Sequence, residues 1–337
     1  MCKKFGIKVE EFGFGIPPRV WGKKIGETLY SLNLIPLGGF VRPLGEDQPD
    51  ETSKKLSPRD FRAKPVGQRI IVVAAGVVMN LFLAWIIFYG ILIYQNFTII
   101  YPSTEPGIYI GRIEKGFPAE GSGISVGDQL ISVNGQKVSD FTQAKDLIKN
   151  SQGKNVFLNL TDLDNKTKTV SLSPKKDEKT GYLIGVVFSP VPFKQYTKPI
   201  DKIFSGITYS FDLTKETFTG FGKIISDLAG GKVSQVSKSV SGPVGMAGMT
   251  NDILSAGPSA IPFYLWFVGI ISLTLAIFNV LPIPALDGGR LLFLVIEAVT
   301  GKKVHSKTEN LVHQVGFIVL LGLAALVTFS DIRKLIP

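Results

Sequence analysis

The run IPFYLWFVGIISLTLAIFNVLPIPAL, residues 261–286, leads directly into Asp287-Gly288-Gly289. Its 26 residues carry no charge, and about 20 apolar residues are enough to cross the hydrocarbon core of a bilayer as a helix. The end of the run is unusual for such a helix. Pro282 and Pro284 remove backbone donors, and Asp287 adds a carboxylate at the same place. Lipid cannot satisfy broken backbone, so a break of this kind is tolerated only where it lines a cavity or contacts protein. An ionisable group there points to a functional site. The plainer reading is that Asp287 caps a helix starting at Gly288 and reaches into the headgroups. Spacing alone supports the two equally.

Two further windows have the same character. Residues 70–94 hold Asn80 and little else polar, and residues 311–330 hold only His313 and Gln314 as strongly polar side chains. Three spans account for a composition that is 45% hydrophobic and 19% charged with a mean hydropathy of +0.25. That composition excludes disorder, and a single cysteine, Cys2, excludes a disulfide scaffold. The net charge of +10 (37 Lys+Arg minus 27 Asp+Glu) is placed by topology. Lys54, Lys55, Arg59, Arg62, Lys64 and Arg69 precede the first window, whereas residues 95–110 contain no Lys or Arg. Residues 246–260 are also free of them, and Arg290, Lys302, Lys303 and Lys307 follow the second window. Positive charge stays on the cytoplasmic side. Residues 1–69 and 287–310 are therefore expected in the cytoplasm, and residues 95–260 and the C-terminus outside. The central region balances 18 basic against 15 acidic residues, which is no nucleic-acid footprint. Residues 1–10 show no apolar core of a signal peptide, so either another signal directs the chain to the membrane or the first span itself serves as the signal anchor.

Between the first two spans the pattern changes. Residues 107–187 read as strands around one longer helix. Gly107-Ile108-Tyr109-Ile110-Gly111 is a strand bounded by glycines, Asn134-Gly135 a hairpin turn, and 141–149 a helix by the spacing of Phe141, Ala144, Leu147 and Ile148. Residues 196–238 carry Phe204, Ile207, Phe211, Phe218, Phe221 and Ile225 at helical intervals, an amphipathic pair lying on the membrane or on the soluble domain. Residues 5–42 alternate apolar and polar with frequent Gly and Pro, and read as short strands joined by tight turns.

Asn279-Val280-Leu281-Pro282-Ile283-Pro284-Ala285-Leu286-Asp287-Gly288-Gly289 resembles the N-x-x-P-x-P-x-L-D-G-G motif of site-2 proteases, zinc metalloproteases that cleave within the membrane. Other segments agree in order along the chain. Gly76-Val77-Val78-Met79-Asn80 resembles a motif of the family's second membrane helix, and Pro36-Leu37-Gly38-Gly39-Phe40-Val41 its membrane-associated β-loop. Ser241-Gly242-Pro243-Val244-Gly245 is similar to a segment ahead of its third helix, and residues 107–187 to the PDZ domain of the sigma-E-regulating branch.

The resemblance implies a polytopic α-helical membrane protein with an inserted extracytoplasmic PDZ-like α+β domain. The divisions are a cytoplasmic, membrane-associated β-loop region (1–69), a span (70–94), the PDZ-like domain (95–195), an amphipathic helical segment (196–260), a span (261–286), a cytoplasmic loop with a short helix (287–310) and a last span (311–330). The implied activity is cleavage of transmembrane segments of membrane-protein substrates in a cell membrane. Asp287 would be the third zinc ligand, and Asn279 would bind substrate backbone or the developing oxyanion. Gly107, Ile108, Tyr109, Ile110 and Gly111 would form the carboxylate-binding loop and edge strand for peptide addition. Gly76, Asn80, Pro282, Pro284, Gly288 and Gly289 would shape the site.

One motif departs from this pattern. The family takes its other two zinc ligands and its general base from H-E-x-x-H, which occurs nowhere in these 337 residues. The histidines are His305 and His313, read as solvated and as helix-packing or interfacial respectively. Met1 falls just after the position of that motif, so the expectation is an N-terminally truncated chain, inactive alone and not holding Zn2+ tightly. The alternative is a catalytically dead, membrane-anchored PDZ module that binds substrates.

Overall fold

The computed structural model describes all residues except 47–55, 103–106, 178–180, 233–235, 237–239, 256, 258–259 and 336–337. In chain order its longer helices are α1 (Val66–Tyr94), α2 (Phe141–Lys149), α3 (Pro199–Ile203), α4 (Ser205–Ala229), α5 (Pro243–Ser255), α6 (Ile261–Val280), α7 (Asp287–Thr300) and α8 (Ser306–Leu335). Among the described residues, three helical stretches are long and apolar enough to cross a membrane: Val66–Tyr94, Ile261–Val280 and Lys307–Lys334. The first and third exceed the windows read from hydropathy, because polar turns at their ends continue the helical hydrogen bonding. The second is shorter. The expected span of 261–286 is helical only to Val280, because Pro282 cannot continue the backbone ladder and residues 281–286 turn instead.

The chain divides into two compact units, Met1–Ala84 with Ser234–Pro337, and Trp85–Val233. In the first unit, residues 5–42 are not several short strands but two long ones, β1 (Val9–Ile25) and β2 (Thr28–Pro43), turning at Gly26 with φ 64°. β1 bends so that Glu11–Phe14 pair twice, with Arg42–Gly39 on one side and Leu29–Leu32 on the other, while Arg19–Ile25 pair with Asn33–Thr28. The register shifts accompany Gly15 at φ 82° and the Pro17-Pro18 pair, which lacks donors. Two strands thus do the work of four. Cys2, Ile7 and Val9 pack with Phe61, with Val73 of α1 and with Leu294 of α7, fixing the foot of the hairpin against two helices.

The second unit contains a six-stranded sheet in the order β11 (Val186–Ser189), β4 (Tyr109–Ile113), β5 (Gln129–Val133), β7 (Val156–Thr161), β8 (Thr167–Leu172), with β6 (Gln136–Lys137) paired to β5. Ile108, Ile110, Leu130, Val133, Leu158 and Leu160 form its core with Ala144 and Ile148 of α2. The Asn134-Gly135 turn has both residues at positive φ (52° and 79°), the geometry a two-residue hairpin requires. A short hairpin of β9 (Lys175–Asp177) and β10 (Gly181–Leu183) lies apart from the sheet. β3 (Thr98–Ile100) pairs with β12 (Phe193–Gln195), so the chain enters and leaves the sheet domain side by side.

α4 packs its first turns on the end of α1. A β-carbon at Gly206 would sit 2.9 Å from the Trp85 carbonyl oxygen, the Tyr209 ring meets Phe88 edge-on at 5.1 Å, and the Tyr209 hydroxyl donates to the Ile100 carbonyl at 2.7 Å. The predicted amphipathic face is present, and its Ile207, Phe211, Phe218, Phe221 and Ile225 are all exposed.

Candidate functional site

Four helices converge on the end of α6. Pro282 and Pro284 stop the helix, and short bonds inside the turn (Ile283 N–H to Leu281 O, 2.6 Å; Leu286 N–H to Ile283 O, 3.2 Å) reverse the chain into α7, whose first residue is Asp287. Gly288 is required by the reversal, because a β-carbon there would overlap the Leu281 carbonyl oxygen. Gly289 is held likewise, 2.6 Å from the Ile283 carbonyl oxygen. Asp287 is thus the first helical residue, and the plain capping role is not what its side chain performs: α7 has no side-chain cap hydrogen bond.

Gly76 on α1 faces this carboxylate, its missing β-carbon 3.8 Å from Asp287 Oδ2. Among the described residues Asp287 makes no hydrogen bond and no ion pair, although Arg290 lies near enough to lower its pKa. Burial acts more strongly in the opposite direction and pushes the carboxyl above its ordinary range. Asn80, one turn further along α1, accepts through its carbonyl from Ser272 Oγ of α6 at 3.0 Å, locking the two helices together beneath the turn. Asn279 is half-buried on the last turn of α6.

The histidines separate as their sequence contexts suggest. His305 is exposed, in the loop between α7 and α8. His313 packs between helices and does more than fill space: its Nδ1 accepts the Ala285 N–H at 2.9 Å, and its ring faces Phe293 of α7 at 5.8 Å. Nothing in the local sequence marks His313 as a partner of the turn; the contact joins residues 28 apart. No group of three His, Cys, Asp or Glu side chains able to hold a metal occurs among the described residues. Among the described residues Asp287 stands as a single donor, and one donor does not make a zinc site.

One part of the peptide-binding expectation, the edge strand, is corrected. Gly107–Gly111 is not an edge. β4 is flanked by β11 (Phe188 opposite Ile110, Ser189 opposite Tyr109) and by the β5 side, where the Ile110 N–H reaches Asp128 O at 2.8 Å and the Leu130 N–H reaches Ile108 O at 2.7 Å. The bounding glycines serve packing: a β-carbon at Gly107 would lie 2.5 Å from Gln129 Nε2, and one at Gly111 3.0 Å from Ser189 Cβ. The outer strand on that side is β11, preceded by Gly185 at φ 79°. A strand bounded by glycines reads the same in sequence whether it is inner or outer, which is why spacing could not separate the two.

Comparison with known proteins agrees along the whole length. A protein of Clostridium perfringens named for a zinc metalloprotease is 34% identical over 337 residues, covering 98% of this chain and 92% of that one. The regulator of sigma-W protease RasP of Bacillus subtilis is 29% identical, covering 99% and 93%. Among solved structures, the PDZ domain of an SdrC-like protein from Listeria innocua is similar at 24% identity and a TM-score of 0.23, covering 24% of this chain and 92% of that one. Residues 1–323 match the profile of peptidase family M50, and with three membrane-length helices and the N-x-x-P-x-P-x-L-D-G-G turn in place, this chain is a membrane protein belonging to that family of zinc metalloproteases.

Proposed function

We propose that the chain is a site-2-type intramembrane endopeptidase acting on transmembrane segments of membrane proteins. The observation that carries this reading is the carboxylate of Asp287, set at a broken helix end, facing a glycine of the neighbouring span and free of any intramolecular partner among the described residues. Asp287 is half-buried, and leaving a carboxylate unpaired even there is unfavourable unless something else binds it. Zinc is the family's group, and in this reading Asp287 contributes one ligand, the others coming from an H-E-x-x-H segment outside these 337 residues. Asn279, one helical turn ahead of the break, would in this reading bind the backbone of an unwound substrate.

Positive charge around residues 54–69 and 290–307 supports placing the Asp287 turn at the cytoplasmic end of its span, with residues 95–260 outside. The exposed stripe of α4, running from the end of α1, supports its lying in the outer headgroup layer. The open edge of β11 supports strand addition of a peptide there. It also favours the second reading, a membrane-anchored PDZ module that captures substrates without cutting them.

The test restores the H-E-x-x-H helix ahead of residue 1 and follows cleavage of a substrate with a single span in reconstituted vesicles. Cleavage that disappears with Asp287→Asn, in protein still inserted, supports the protease. Cleavage that survives this substitution removes Asp287 from the site. Absence of cleavage combined with peptide binding to β11 supports the binding module.

A further inference from the structure

Ala285 carries a β-carbon at φ 75°, in the left-handed region that non-glycine residues seldom occupy. It lies two residues ahead of Asp287, and its conformation sets the direction in which the chain enters α7. Something must hold it there. The local bonds of the turn involve Ile283, Leu286 and Gly289, whereas the Ala285 N–H goes to a residue of another helix, His313 Nδ1 on α8, at 2.9 Å.

A second contact comes from the same face of α8. A β-carbon at Gly316, three residues beyond His313, would lie 2.5 Å from Pro284 Cβ and 2.8 Å from its carbonyl carbon and oxygen. The missing side chain makes a notch that receives Pro284, while His313 binds the next residue. His313 and Gly316 therefore grip two consecutive residues of the turn, and residues at i and i+3 share one helix face. With Nδ1 accepting, the ring proton sits on Nε2, an atom that is buried and has no partner among the described residues. His313 Cε1 would also lie 3.2 Å from a β-carbon at Gly289, so the ring is wedged between the turn and the first turn of α7.

We propose that His313 is a positioning residue for Asp287: its Nδ1 fixes the left-handed Ala285 and thereby the start of α7 at the aspartate. The consequence for cleavage rests on the role of Asp287 proposed above; the turn and its support do not.

Packing and positioning give opposite orders of substitution. His313→Phe keeps a ring against Phe293 and loses the acceptor. His313→Asn loses the ring and keeps an acceptor oxygen at the same number of bonds from Cα as Nδ1. The measurement is amide hydrogen exchange of residues 283–289 in the full 337-residue chain in lipid nanodiscs. Positioning predicts exchange at Ala285 and Leu286 raised about tenfold or more by His313→Phe and near parental rates with His313→Asn. Adding Ala285→Gly to His313→Phe should slow exchange back toward the parent, because glycine adopts positive φ without support. Selective 15N-histidine labelling gives only two ring systems, His305 and His313, and His313 should show the Nε2–H tautomer. Parental exchange with His313→Phe, faster exchange with His313→Asn alone, or an Nδ1–H tautomer would each overturn the proposal. Asp287 makes no bond in the turn, so this readout stands independently of the cleavage test.

Discussion

Arg69, in the first turn of α1, donates to Glu297 of α7, and both side chains are nearly withdrawn from water, at 9% and 16% exposure. The Arg69 Nε also donates to the Lys64 carbonyl at 3.1 Å. The pair ties the base of the first span to the helix that begins at Asp287.

Removing one partner leaves the other charge buried and unpaired. Glu297→Ala is expected to lower stability by about 3 kcal/mol, and the paired replacement Arg69→Met with Glu297→Leu to lie within about 1 kcal/mol of the parent. Thermal unfolding in detergent measures both. A single substitution as mild as the double one would show that the pair is not closed off from solvent.

Asp60 makes a pH prediction. It is 4% exposed, and burial alone would raise its pKa. The Arg62 side chain and backbone N–H (2.8 Å to Oδ1) outweigh that, so the folded carboxyl titrates below its ordinary value. A folded pKa below the unfolded one contributes stability that is present above about pH 4 and lost as pH falls through the folded value. The melting temperature of the parent should therefore drop below pH 4, and Asp60→Asn should flatten that part of the profile.

Asp331, near the end of α8 and 3% exposed, accepts the Gly242 N–H at 2.8 Å and the Gly245 N–H at 2.9 Å with the same oxygen, Oδ2. It caps α5 from another helix and gives the Ser241–Gly245 segment its structural meaning. Asp331→Ala should cost about 1–3 kcal/mol, and Asp331→Asn less, since one amide oxygen can take both bonds. Exchange rates of the two glycine amides report the difference directly.

Gly288→Ala would place a methyl group against the Leu281 carbonyl, which is backbone and cannot swing away. A cost of about 1–3 kcal/mol is expected from overpacking, with faster exchange confined to residues 281–289. A neutral outcome would mean that α7 can tilt away from α6 without loss.

Much of this protein is legible in its sequence. Hydropathy located three spans because about 20 uncharged residues have few stable settings other than a bilayer. Period-two alternation and the Asn134-Gly135 turn located the strands and hairpin of the inserted domain, and the 279–289 motif singled out Asp287. These signals are local: each is written within one turn, one strand or one helix.

What failed, or was missing, depends on contacts between distant residues. The doubly paired Glu11–Phe14 cannot be read from alternation, because a strand bent across two partners keeps the same period as two short strands. Whether Gly107–Gly111 is inner or outer depends on β11, about 75 residues further on. His313 resembles any polar residue on an apolar helix until the fold brings it to Ala285. The sequence by itself determined that the chain enters membranes, that its second span breaks at paired prolines, and that a carboxylate follows the break. Only tertiary structure decided which glycine that carboxylate faces, which strand edge is open and which histidine holds the turn, because hydrogen bonds and close packing are set by proximity in space, and separation along the chain does not encode it.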